Sequence, residues 1–287
     1  MPCMTSNISR RSLLSGGTML AASSLLSNSA ISFAAPSPPS SPIRLGIASY
    51  TFRKFDQAHL IEFMKELKTP YLNLKDVHLP MTPADQVAPR AAEYRAAGLT
   101  LTAAGTITFN KDDDDDIRPK FEYVKAAGIP IIVAAPTHQV LPRLEKFVKE
   151  YNIKLAIHNH GPEDKNFPSP FDVLDAVKNL DPRIGCCIDV GHTMRTGTDP
   201  VAAIKKVGSR VHDIHMKDLA QSKVKESQVA VGDGLMPVRG IFQALIGIGY
   251  KGNVDLEYEI MENDPMPGVI KSFAYMRGVI AGMGLNA

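Results

Sequence analysis

Cysteine is nearly absent: the 287-residue chain carries three, at positions 3, 186 and 187. Cys186 and Cys187 are neighbours in an apolar run read as a strand, where successive side chains point to opposite faces, so no disulfide joins them. Charge of one sign is lacking too, since 32 Lys and Arg against 30 Asp and Glu leave a net +2. So balanced a chain recruits neither nucleic acid nor an anionic lipid surface electrostatically. Beyond residue 42 no apolar run reaches the about 20 residues that span a bilayer. No Gly-rich phosphate loop follows the first strand, where the chain reads Ala48-Ser49-Tyr50-Thr51-Phe52-Arg53. A dinucleotide-binding fold loses support accordingly.

What is present begins with a distinct leader. Arg10 and Arg11 precede an apolar, Ser- and Ala-rich stretch that ends in Pro36, Pro38 and Pro39. Residues 1–35 read as an export signal, with residues 36–42 as a Pro/Ser linker. The paired arginines resemble a twin-arginine signal, and Ser32-Phe33-Ala34 offers a small-x-small cleavage site. The expectation is a periplasmic protein with no stable membrane anchor once the signal is removed. Folding before export would allow a metal to be loaded in the cytoplasm.

The remaining 43–287 hold short apolar runs alternating with amphipathic stretches. Strands are expected at 43–49, 71–74, 99–104, 131–135, 153–158, 184–190, 211–216 and 254–260. Helices are expected at 57–67, 84–97, 140–151, 172–179, 200–207 and 241–248, with a last one near 270–281. Such alternation implies right-handed βαβ units and a parallel sheet. About eight units in about 250 residues favour a single-domain (β/α)8 TIM barrel. The Asp112–Asp116 run caps the following helix instead of building a calcium loop. Residues 232–234, Gly-Asp-Gly, read as a tight turn.

Strand alternation then sorts the last four strands into two faces. Ile153, Leu155 and Ile157, then Cys186, Ile188 and Val190, then Ile214 and Met216, then Val254, Leu256, Tyr258 and Ile260 make the helix-facing set. Facing inward are Ala156, His158 and His160; Cys187 and Asp189; Val211, Asp213, His215 and Lys217; Asp255, Glu257 and Glu259. Each inward face turns polar toward the C-terminal end, where barrel active sites sit. Buried charges are costly unless paired or bound to metal. Two imidazoles and two carboxylates suit a divalent first-row ion, so His158, Asp189, His215 and Glu257 are expected to hold one. Mn, Co, Zn, Ni and Fe all remain open, as does the oligomeric state.

Several of these segments carry a resemblance. Cys187-Ile188-Asp189-Val190-Gly191-His192, Val211-His212-Asp213-Ile214-His215-Met216-Lys217-Asp218, Val231-Gly232-Asp233-Gly234, Ile248-Gly249-Tyr250-Lys251-Gly252 and Leu256-Glu257-Tyr258-Glu259 are similar to the xylose isomerase-like barrel superfamily. That group includes sugar and sugar-phosphate isomerases and epimerases, ketoinositol dehydratases and type IV apurinic endonucleases. In the first half Ser49-Tyr50 and Lys75-Asp76-Val77-His78 echo it. The resemblance implies metal ligation by Asp189, His215 and Glu257, and contact of His192 with substrate or a second metal. It departs at the fifth strand, where the epimerases carry Glu and this chain has His158 in Ile157-His158-Asn159-His160-Gly161. In that respect it looks more like the ketoinositol dehydratases.

The chemistry implied is proton removal beside a carbonyl, with the metal stabilising the enediolate. Glu257 is one candidate base, and His160 or Lys217 the second proton-transfer group. Lys75, His78, Arg195 and Glu259 are candidate contacts for sugar hydroxyls. The leading expectation is an isomerase or epimerase of a small non-phosphorylated sugar. A lyase or dehydratase of a keto sugar, keto glycoside or ketoinositol is the rival that His158 motivates. A non-catalytic sugar-binding barrel is a third reading, and a DNA repair nuclease fits a nearly neutral exported chain poorly. Loops at 161–170 and 219–231 would set substrate selectivity.

Overall fold

The computed structural model describes residues 39–286. The expected signal at 1–35 and linker residues 36–38 lie outside the described residues. The strands are β1 Arg44–Ala48, β2 Tyr71–Leu74, β3 Thr100–Phe109, β4 Ile131–Pro136, β5 Lys154–His158, β6 Ile184–Asp189, β7 Val211–Met216, β8 Asp218–Leu219, β9 Gln228–Val229 and β10 Asn253–Leu256. All but β8 and β9 close a parallel barrel in the order β1-β10-β7-β6-β5-β4-β3-β2. The helices are α1 Gln57–Leu67, α2 Val87–Ala96, α3 Asp114–Ala126, α4 Leu141–Tyr151, α5 Pro170–Val177, α6 Val190–Arg195, α7 Pro200–Val207, α8 Val238–Gly247 and α9 Met266–Gly282. With helices returning the chain between neighbouring parallel strands, the protein is a (β/α)8 TIM barrel.

Strand alternation divides the interior into two apolar bodies. Leu155, Ile157, Cys186, Ile188, Ile214, Met216, Val254, Leu256 and Tyr258 pack outward among the helices. Inside the barrel a small cluster of Ala103, Val133, Ala156 and Cys187 forms a separate core. Small side chains there leave room for polar ones, and Asn73, Asp213 and Asp255 are buried in the same interior.

The departures from expectation have local causes. Val211 belongs to the helix-facing shell instead of the barrel interior. The pairing slips between Cys186↔Val211 and Cys187↔Asp213, and a one-residue bulge reverses the face of the residue beside it. The sixth strand stops at Asp189 because its carboxylate caps α6, accepting the His192 N–H at 2.7 Å. The eighth barrel strand, β10, stops at Leu256, short of the expected 260. Past it the chain is held by side chains: Gln228 donates to the Glu257 carbonyl at 2.7 Å and accepts from the Glu259 N–H at 3.0 Å. Asp113 caps α3, as expected of the aspartate run, while Asp112 and Asp114 pair with Arg143.

One loop organiser escaped sequence reasoning. Asp218, directly after the polar end of β7, turns its carboxylate into the 232–236 turn. It accepts N–H bonds from Gly232 at 2.9 Å, Gly234 at 3.1 Å and Met236 at 2.8 Å. This fixes the β8–β9 hairpin over the barrel mouth, and with it Gln228.

Candidate functional site

The C-terminal ends of four adjacent barrel strands bring His158, Asp189, His215 and Glu257 together, all buried. His158 Nε2 lies 3.1 Å from His215 Nδ1, which lies 3.1 Å from Glu257 Oε2. Asp189 Oδ2 is 3.7 Å from His158 Nε2. One donor atom from each of the four falls within 4.8 Å of the others. Ligands about 2.1 Å from a tetrahedral zinc stand about 3.4 Å from one another, so this spacing is that of a metal's donor shell.

The donors also have the right chemistry. Burial, helped by the neighbouring His160 and His215, holds the His158 imidazole well below its ordinary pKa. It is therefore neutral, the form that binds metal. Burial opposes charge on His215 as well, yet the Glu257, Asp213 and Asp189 carboxylates outweigh it and lift His215 to about 9. A site that draws a proton onto a buried imidazole is short of positive charge, which a divalent cation supplies. Asp189 gives one oxygen to the cap of α6 and turns the other, Oδ2, into the cluster, where it makes no well-aligned hydrogen bond and faces the Lys217 ammonium at 3.1 Å. The residues present fit a divalent ion.

Residues behind the ligands hold them in place. His215 Nε2 lies 3.1 Å from the Asn73 amide and 3.6 Å from Asp213 Oδ2. Asn73 also donates to Asp213 at 3.0 Å. A carboxylate behind a ligating imidazole fixes its ring and tautomer. Asn159 accepts the Asp189 N–H at 3.1 Å and donates to Thr193 at 3.1 Å, pinning the end of β6. Asn73 and Asn159 were missed from sequence. The signal for Asn73 was a lone polar residue on the inward face of Tyr-Leu-Asn-Leu; that for Asn159 lay in its place between two candidate histidines.

Lys217 is the central cation. Its Nζ lies 3.1 Å from Asp189 Oδ2, 3.0 Å from Glu257 Oε2 and 2.6 Å from Glu259 Oε2. Burial disfavours the ammonium, but these three carboxylates reverse the effect and raise its pKa well above the usual lysine value. In return Lys217 and His215 outweigh burial at Glu257 and hold that carboxyl well below its usual range.

The remaining candidates divide. A cavity of about 210 Å³ is lined by His160, His192, Lys217, Glu257, Glu259 and Lys75 among others. His160 sits half-exposed at its mouth, its ring 4.3 Å from that of His158. His192, pushed down to about 4 by burial, is a neutral imidazole 3.9 Å from Asp189 Oδ2. Lys75 donates to the Thr106 carbonyl at 2.9 Å, and both residues also line an adjoining cavity of about 370 Å³.

Two candidates do not reach the cavity. His78 is buried behind β1, its ring nitrogens 3.1 Å from Ser49 Oγ and 3.2 Å from the Phe55 carbonyl. It braces the 49–55 segment and leaves no nitrogen for a sugar. Arg195 is buried too, paired with Glu163 and 3.2 Å from His192 Nδ1. It positions His192. Gly161, at φ +86, admits this packing, since a Cβ there would lie 3.1 Å from the Arg195 guanidinium.

Comparison with known proteins gives a consistent picture. The family described as xylose isomerase-like TIM barrel matches residues 78–279. An inosose dehydratase of Clostridium tetani is 25% identical over 155 residues, which are 48% of this chain and 51% of that protein. The chain spans about half the length of the curated relatives it matches. Among solved structures, the IolI protein with a bound zinc atom superposes with a TM-score of 0.69 at 18% identity, covering 83% of this chain and 99% of that one. D-psicose 3-epimerase with D-fructose gives 0.66 at 16% identity, covering 84% and 100%. These structural likenesses establish the fold.

Proposed function

We propose, from the premise that the chain belongs to the xylose isomerase-like TIM barrel family, that it is a divalent-metal-dependent lyase acting on a small keto sugar, keto glycoside or ketoinositol. The observation that carries this reading is His158. Reversible epimerisation needs a base on each face of the substrate, and the fifth strand offers a buried neutral imidazole where a second carboxylate would stand. Relatives that are inosose dehydratases support the same choice. The isomerase or epimerase reading, first on sequence grounds, therefore yields to the lyase.

His158, Asp189, His215 and Glu257 would hold the ion, which when bound supplies a Lewis acid for the substrate carbonyl. Glu257, kept ionised by Lys217 and His215, takes the proton from the carbon beside that carbonyl. The C–H electrons move toward the carbonyl and then into a new C=C bond as the β C–O bond breaks. His160 at the mouth protonates the departing oxygen, so water or an alcohol leaves. Lys217, fixed as an ammonium, steadies negative charge beside the reacting carbons. His192, neutral and oriented by Arg195, contacts a hydroxyl. A 210 Å³ cavity suits a compact ring, and the 370 Å³ space sharing Lys75 and Thr106 gives a substituent room. The export signal expected at 1–35 favours an unphosphorylated substrate.

Incubation of the metal-loaded protein with keto sugars, 3-keto glucosides and inososes in heavy water tests this reading. The expected outcome is an unsaturated product with release of water or aglycone. Deuterium entering recovered substrate or its epimer, with nothing released from any of them, would sink the lyase in favour of the epimerase.

A further inference from the structure

A third cavity lies at the end of the barrel opposite His158 and Glu257. It has a volume of about 660 Å³ and is walled by the first residues of the barrel strands and the loops that precede them. A barrel's N-terminal face ordinarily serves stability. This one has the chemistry of a binding site.

Arg44, Lys154, Arg183 and Lys251 surround the cavity, and among the described residues no carboxylate lines it. Arg183 spends its charge on Asp181, to which it is doubly bonded at 2.9 Å. Arg44, Lys154 and Lys251 form no ion pair among the described residues; Arg44 only stands over the Tyr71 ring at 5.5 Å. A second observation marks the positive potential. The buried imidazole of His212 on the same wall is pushed down to about 4 by burial, with Lys154 and Arg210 adding to the push. A third concerns uncharged polar groups. Thr102 and Asn253 line the cavity, and each has a buried side-chain oxygen, Thr102 Oγ1 and Asn253 Oδ1, with no hydrogen-bond partner. Buried polar atoms left unpaired cost free energy, so a fold that keeps two at one concave spot has a use for them.

We propose that this N-terminal cavity binds a small polyhydroxylated anion, a sugar or polyol bearing a carboxylate or phosphate group. The anionic group lies among Arg44, Lys154 and Lys251, and hydroxyls bond to Thr102 and Asn253. The volume is in the about 300–1,000 Å³ range of small-molecule sites. Three cations around one anion serve either oxyanion, and the two hydroxyl-matching atoms explain why a polyol carries it. The site is separate from the chemistry at the other end of the barrel, and the inference does not depend on which reaction occurs there.

Titration calorimetry on the full chain tests it with three probes: glucuronate, glucose 6-phosphate and glucose. Saturable heat with one or both anions and none with glucose is expected, the two anions telling carboxylate from phosphate. The Arg44→Gln/Lys154→Gln/Lys251→Gln variant keeps its melting temperature and loses affinity about tenfold or more, since each cation near 5 Å contributes about fourfold even in water-like surroundings. Binding persists in His158→Ala, which separates this cavity from the metal centre. The proposal is overturned if no probe binds saturably, if glucose binds as well as the anions, or if the triple variant binds like the parent.

Discussion

Lys217→Met isolates the electrostatics of the candidate centre. The ammonium is buried and touches Asp189, Glu257 and Glu259 at 3.1, 3.0 and 2.6 Å. Glu259 is more than a third exposed, so water screens its share and the count rests on Asp189 and Glu257, which are buried. Removing one partner of a buried charge network leaves the others uncompensated, at about 3–5 kcal/mol. In a domain of this size that lowers the melting temperature by about 10 °C. A divalent ion held by the same two carboxylates replaces the lost charge. The gap between parent and variant should thus narrow by ~2 kcal/mol at saturating Mn²⁺ or Zn²⁺, which corresponds to about 30-fold tighter metal binding by the variant. Thermal melts in EDTA and in metal, with metal titration of both proteins, supply the numbers. A variant that melts within about 2 °C of the parent in EDTA, or that binds metal more weakly, would refute this account of Lys217 and of the shared site.

Elemental analysis of His158→Ala and Glu257→Ala should show metal content falling by half or more under conditions that saturate the parent; full occupancy in both would remove the ion from these residues. Asp218→Ala strips the acceptor from three N–H groups of the 232–236 turn, at about 2–4 kcal/mol. Limited proteolysis between Leu219 and Met236 should accelerate and kcat should fall as Gln228 loses its place; an unchanged cleavage pattern argues against the strut. His212 sets an acid limit. Its folded pKa of about 4 lies below the ordinary 6.5, so the unfolded chain binds the extra proton between those values and stability falls as pH drops through that window. The full effect is ~3 kcal/mol. Urea unfolding from pH 7 to 4 should show a shallower decline for His212→Gln than for the parent, part of the slope remaining because His192 also titrates near 4.

Much of the barrel was legible because its signals are local. Helices 57–67 and 200–207 and the strands 71–74 and 211–216 have the bounds that periodicity and flanking breakers give them. What failed was decided by partners distant in sequence. The fate of residues 257–259 depends on Gln228 and on Thr51, whose hydroxyl accepts the Tyr258 N–H at 3.0 Å. The slip at Val211 depends on register with β6. No alternation of side chains within 211–217 encodes it.

The four candidate ligands were legible for a different reason. Strand alternation carries each of them inward at the same end of the barrel, and closure of the sheet does the rest. Alternation says which way a residue faces, not what stands behind it or whether it has a free atom. His78 reads like a site histidine, yet both its nitrogens are engaged beside Ser49 and Phe55. Arg195 reads like a substrate contact, yet it is paired with Glu163 behind His192. Asn73, unremarkable in sequence, lies against His215 and Asp213. The difference between a ligand and its support is therefore a property of neighbours. The lyase proposed above turns on the same point: the fifth strand ends in the buried imidazole of His158, where an epimerase would need a second carboxylate base. Among the described residues the cavity is lined by one carboxylate besides Glu257, that of Glu259, and it is tied to Lys217 at 2.6 Å.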